Sequence, residues 1–94
     1  MVEGYKRFYA VGEKREIAFK IIPNSSNDVL VITAAKYEIL KDEKIIKSGN
    51  ASVNDDIVSV IFDADEAGSF TVRFFVTVPP ETIEAELSAV VKSR

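Results

Sequence analysis

The chain of 94 residues has no cysteine, no histidine and no tryptophan, and holds only four glycines, three prolines and one methionine. Each shortage removes a class of function. Without Cys there is no disulfide framework. Without Cys and His together there is no Ser-His-Asp or Cys-His nucleophile, and no thiolate or imidazole zinc site. The glycines at 4, 12, 49 and 68 are too dispersed for a GxGxxG or Walker A phosphate loop. No elbow motif surrounds any serine, so nothing supports a Ser–Lys pair as a nucleophile. No apolar run approaches the roughly 20 residues of a spanning helix. The segment Met1 to Arg7 lacks the apolar core of a secretory signal. The expectation is a chain made in the cytoplasm, without a signal peptide, that has no membrane partner. Two sequons, Asn24-Ser25-Ser26 and Asn50-Ala51-Ser52, then read as turn composition rather than glycosylation sites.

What is present is a folding composition: 47% apolar and 29% charged residues. A chain of this length forms one domain, 1–94, with a modest core. Twelve basic side chains face fifteen acidic ones, a net charge of −3. That balance argues against a broad phosphate-binding surface and against nucleic acid as a partner. Residues 1–47 carry nine basic and seven acidic side chains (+2), and residues 48–94 carry three and eight (−5).

Polar clusters at 23–28, 48–50, 54–56, 63–68 and 78–81 break the chain into short segments, the rhythm of an all-β sandwich or barrel. Between them the apolar period is two. Phe70, Val72, Phe74, Val76 and Val78 share one face, opposite Ser69, Thr71, Arg73 and Thr77. Ile17, Phe19 and Ile21 form a second strand. Val58, Val60 and Phe62 form a third, which Ile57 and Ile61 make apolar on both faces, as suits the middle of a sheet. Lys41-Asp42-Glu43 turns one strand into the next.

Two segments admit helix as well as strand. Thr33 to Ser48 lies between a possible N-cap and Gly49, and Pro80 to Lys92 carries Ile83, Leu87, Val90 and Val91 at helical spacing. The strand reading is preferred for both, with a Pro79-Pro80 turn pairing 83–92 against 69–78. The alternative is an α+β fold with helix at 33–47, at 80–92, or at both. The expected core is Phe19, Ile21, Tyr37, Ile39, Val58, Val60, Phe62, Phe70, Val72, Phe74, Val76 and Leu87.

The segment Asp65-Glu66-Ala67-Gly68-Ser69-Phe70-Thr71-Val72 resembles the Asp-x-x-Gly-x-Tyr/Phe-x-Val lead-in to the penultimate strand of immunoglobulin-like modules. The resemblance extends loosely over residues 6–92. Phe70 holds the aromatic position but lacks the hydroxyl of a tyrosine corner, and the Cys pair and Trp of antibody domains are missing. The likeness is therefore to disulfide-free bacterial and bacteriophage modules. It implies a single Ig-like antiparallel β-sandwich of about seven strands. By the same resemblance, the chain is a whole, non-enzymatic virion accessory, such as a tail or decoration protein, that works through protein partners or self-assembly.

Candidate sites are few, and each has an ordinary counterpart. Asp63, Asp65 and Glu66 could offer oxygens to Ca²⁺, but such residues also close turns through their own backbone; the expectation is no metal and no cofactor. Tyr5-Lys6-Arg7-Phe8-Tyr9 interleaves rings and cations as single-strand nucleic-acid platforms do. The simpler reading is an N-terminal edge strand with Phe8 packed inward. Phe75 stands on the polar face between Arg73 and Thr77, covered by a neighbour such as Val90 or forming a subunit contact. Phe75, Tyr5 and Tyr9 are the expected interface residues. The alternative function is a monomeric binding module for a glycan, small ligand or foreign protein, with Asn24, Ser25, Asn27 and Asn50 as its polar loop contacts.

Overall fold

The computed structural model describes the backbone of residues 2–21 and 31–93 and the side chains of 6–21 and 31–93. Its strands are β1 (Val2–Ala10), β2 (Lys14–Lys20), β3 (Ala34–Lys41), β4 (Lys44–Asn50), β5 (Ser52–Asn54), β6 (Ile57–Asp63), β7 (Gly68–Val78) and β8 (Glu81–Lys92). They form a five-stranded sheet in the order β1-β8-β7-β3-β4 and a three-stranded sheet in the order β2-β6-β5. The fold is an all-β sandwich. The described residues form eight strands, in line with the expected number of about seven; the shortest is the three-residue β5 after Asn50.

The period-two segments dictate this arrangement. Both ambiguous segments are strands: 34–50 is the hairpin β3–β4 and 81–92 is β8, so the α+β alternative is overturned. In β3 the helical stripe would have carried Asp42 and Glu43 toward the core. As a strand it buries Ala35, Tyr37 and Ile39 and leaves Lys36 outside. The turn then needs two left-handed residues, and Asp42 (φ 52°) and Glu43 (φ 65°) supply them. This is the type I′ geometry that matches strand twist in a two-residue hairpin. β7 and β8 pair without interruption from Gly68 opposite Val91 to Val78 opposite Glu81, joined by Pro79 and Pro80.

Every neighbouring pair is antiparallel except β1 and β8, which run parallel. The core lies between the sheets, with Phe74, Ile17, Val58, Val72 and Val76 its largest fully buried side chains. Most expected core residues are buried, while Phe19 and Leu87 pack against the core half-buried. The small residues Ala35, Ala64, Ala85 and Ala89 complete it. Aromatic contacts tie the layers: Phe19 meets Phe74 edge-on at 4.9 Å, and Phe62 meets Phe70 at 5.7 Å.

β6 occupies the middle of its sheet, as its two-sided apolar pattern predicts. The outer side is uncovered, however, and Ile57 and Ile61 are 42% and 48% exposed. The N-terminal strand has the opposite parity from the one expected. Phe8 is 63% exposed and Tyr9 is buried, because Tyr9 stands beside buried Val91 in the parallel register.

Candidate interaction surfaces

Among the described residues the buried side chains are aliphatic, phenylalanine or tyrosine, none is charged, and no buried side-chain N or O atom lacks a partner.

The outer face of the larger sheet is organised by Arg73. Its Nε donates to Glu86 Oε2 at 3.1 Å and lies 3.5 Å from Glu84 Oε1, while Nη1 lies 3.5 Å from Glu38 Oε1. The hydrogen bond to Glu86, then the neighbouring carboxylates, hold the guanidinium above its ordinary pKa despite some desolvation. One step along β7, Phe75 lies between Lys36 of β3 and Glu84 of β8, and Lys36 in turn faces Asn50 of β4. Val90 does not cover Phe75. It pairs with Ser69, near the other end of β7.

Phe75 and Asn50 therefore share one shallow depression of about 340 Å³, with Lys36, Tyr37, Glu38, Ser48 and Gly49. A Cβ at Gly49 would stand 3.4 Å from the Tyr37 ring, in ordinary van der Waals contact, so the depression runs directly over that ring. Phe75 is half-buried by these neighbours. Asn24, Ser25 and Asn27 lie outside the described residues, so Asn50 alone among the expected loop contacts is placed.

The acidic cluster after β6 is dispersed into lysine pairs. Asp63 is 3.9 Å from Lys14 and Glu66 is 3.1 Å from Lys41, while Asp65 is exposed. Among the described residues no group of three acidic side chains is gathered to hold a metal. Lys41 also stands 5.4 Å over the ring of buried Phe70, so it ties the turn to the strand's aromatic.

The N-terminal surface is the one the sequence reading misplaced. Tyr9, expected at an interface, is buried and rests on Phe62 with ring centroids 5.2 Å apart. Burial pushes its phenol above the ordinary tyrosine range, with Arg7 and Arg15 pulling the other way and Glu13 adding to the rise. Tyr5 lies in β1 opposite Leu87, and its side chain lies outside the described residues. Among the described side chains of β1 the exposed ring is Phe8, with Lys92 Nζ 5.5 Å above it. A second depression of about 340 Å³ runs beside it, lined by Lys6, Arg7, Phe8, Tyr9, Arg15 and Glu16. Rings occur on both faces of residues 5–9, so alternation alone does not decide the parity. The deciding register comes from β8, some eighty residues away in sequence.

The strand at the far edge, β4, is exposed along its length, with Ile45 and Ile46 each 54% exposed. No helix among the described residues is long and apolar enough to cross a membrane.

No protein-family model matches the sequence, and a search of curated proteins finds no match. Solved structures do resemble the fold. Tandem immunoglobulin domains of titin align over 97% of this chain with a TM-score of 0.56 and 12% identity, and this chain spans 45% of theirs. The complex of a titin immunoglobulin domain with obscurin-like 1 aligns over all of this chain and 92% of the other, with a TM-score of 0.54 and 10% identity. A putative glycoside hydrolase from Bacteroides vulgatus aligns over 92% of this chain but 16% of its own, with a TM-score of 0.55 and 8% identity. At these identities the likeness is one of fold: an immunoglobulin-like sandwich.

Proposed function

We propose that this chain is a non-enzymatic structural and interaction module that works through protein–protein contacts. The observation that carries the reading is the exposed β4 edge beside the Phe75 depression. There the outermost strand, paired with β3 on one side, meets the half-buried Phe75 at its Asn50 end and carries the exposed Ile45 and Ile46 toward its other end. Strand edges and aromatic patches of this kind suit surface complementarity and need no chemical step. The lead-in Asp65 to Val72, with its resemblance to bacterial and bacteriophage modules, supports the finer proposal that the module is a virion accessory of the tail or decoration type. Association with a virion follows from that proposal.

The test is mass by light scattering over a concentration series, at low and high salt and with and without Ca²⁺. The expected result is a discrete, calcium-independent multimer that Phe75→Asp dissociates while its circular dichroism stays native. A strict monomer under all conditions ends the self-assembly form of the proposal.

A second reading, ligand binding by a monomer, is favoured by one observation. The structure sets the aromatic Phe75 beside Asn50, Ser48, Glu38 and Lys36, so a stacking ring and polar contacts coincide. Calorimetric titration with neutral oligosaccharides tests it. Binding abolished by Phe75→Ala supports this reading, and no heat at millimolar sugar ends it.

A further inference from the structure

The two sheets end side by side along one flank, where β1 closes the larger sheet and β2 the smaller. Each of these edge strands carries an arginine at a position of core parity. Arg7 stands in register with buried Ala89, and Arg15 with buried Phe62. Neither enters the core: both are exposed at the seam between the sheets. Lys6 and Phe8 occupy the opposite face of β1. The cleft so formed holds three cations, Lys6, Arg7 and Arg15, against one carboxylate, Glu16, a balance of +2 on a chain of net charge −3. Glu13 takes up part of the Arg15 charge at 3.0 Å. Among the described residues no carboxylate pairs with Lys6 or Arg7.

We propose that this cleft receives an extended acidic segment of a partner protein, laid along the open edge of β1 with an apolar side chain resting on Phe8. The proposal deepens the interaction-module reading and rests on it. Among the described residues β1 pairs with β8 alone; on its other side Glu13 takes up the N–H and C=O of Ala10, and the strand before Ala10 offers backbone donors and acceptors to an incoming strand. Inward-facing charges on an edge discourage arbitrary strand pairing, and here they select for carboxylates instead. A second copy is a poor occupant edge-to-edge, since the other edge of the large sheet carries Lys44 and Lys47. Single-stranded nucleic acid needs a row of stacking rings. Tyr9 is buried, which leaves Phe8 as the open ring among the described side chains of β1.

The probe is a fluorescent peptide of alternating Glu and Val, followed by anisotropy. Comparators are the Lys–Val peptide and labelled oligothymidylate, and melts by circular dichroism confirm that each variant folds. Saturable binding of the Glu–Val peptide is expected, falling about tenfold on Arg7→Glu and with added salt. It should also weaken on Phe8→Ala and be unchanged by Lys44→Glu on the opposite flank. Absence of saturable binding at ~1 mM peptide, where even a weak complex of about −4 kcal/mol would register, overturns the proposal. So does binding indifferent to Arg7→Glu, or equal binding of the Lys–Val peptide. Preference for oligothymidylate overturns both the proposal and the interaction-module reading. Lack of peptide binding in a chain that still forms a Phe75-dependent multimer overturns the cleft alone.

Discussion

Tyr9 of β1 and Phe62 of β6 meet across the interior of the sandwich, with ring centroids 5.2 Å apart and planes inclined at 48°. Phe62 in turn meets Phe70 of β7 at 5.7 Å, so three rings on three strands bind the two sheets together. Truncating the middle ring removes both contacts and leaves a void. Phe62→Ala should cost about 3–5 kcal/mol, a large share of a small domain's stability. Urea unfolding checks this. A loss under ~1 kcal/mol would mean that the rings do not pack as described.

The Tyr9 phenol ionises above the ordinary tyrosine value, chiefly because it is buried. Its folded pKa is raised, so the native state holds the phenolic proton more tightly than the unfolded chain does. The associated stability is complete below the unfolded value of about 10 and is lost as pH rises through the folded value. Urea melts of wild type and Tyr9→Phe between neutral and strongly alkaline pH isolate the effect. The wild type should lose more stability above pH ~10 than the variant does. Parallel curves would place the phenol in water.

Gly68 opens β7 at φ 144°, a backbone setting that L side chains rarely adopt. A Cβ there would also stand 3.1 Å from Lys41 Cε, the side chain that reaches Glu66 and Phe70. Gly68→Ala should destabilise by about 1–3 kcal/mol, mostly through backbone strain. Thermal unfolding would show a clear drop in Tm. An unchanged Tm would mean the backbone at Gly68 is extended.

The hairpin turn holds two non-glycine residues at positive φ, Asp42 and Glu43. Asn-Gly is the pair this turn type prefers. Replacing both, Asp42→Asn with Glu43→Gly, should stabilise by about 1 kcal/mol and raise Tm by roughly 4–8 °C. A lower Tm would show that Asp42 or Glu43 makes a compensating contact.

The strands were legible wherever one face is apolar and the other polar, as in residues 69–78, where nine of ten positions alternate and Phe75 alone departs. The hairpin at 41–44 was legible from its polar turn. Less legible was the N-terminal strand. Residues 5–9 place rings on both faces, and only the parallel register with β8 puts Tyr9 inside and Phe8 outside. The cover for Phe75 was misjudged for a related reason. Sequence spacing does not say which residue of a partner strand stands opposite, and the two-residue Pro79-Pro80 turn sets Glu84 there, not Val90. The exposure of Ile57 and Ile61 was hidden too, since an apolar outer face reads the same whether or not another surface covers it.

The parallel pairing of β1 with β8 has a kinetic consequence. Ala10 stands opposite Lys92, a separation of 82 residues (92 − 10), so the first strand cannot dock until the residues between them have been made. Contacts this distant in sequence slow folding, because loop closure must precede any gain from pairing. During synthesis residues 2–10 wait as an unpaired strand while β2 to β7 can already associate. β8, once it pairs with β7, stays a temporary edge until that first strand arrives.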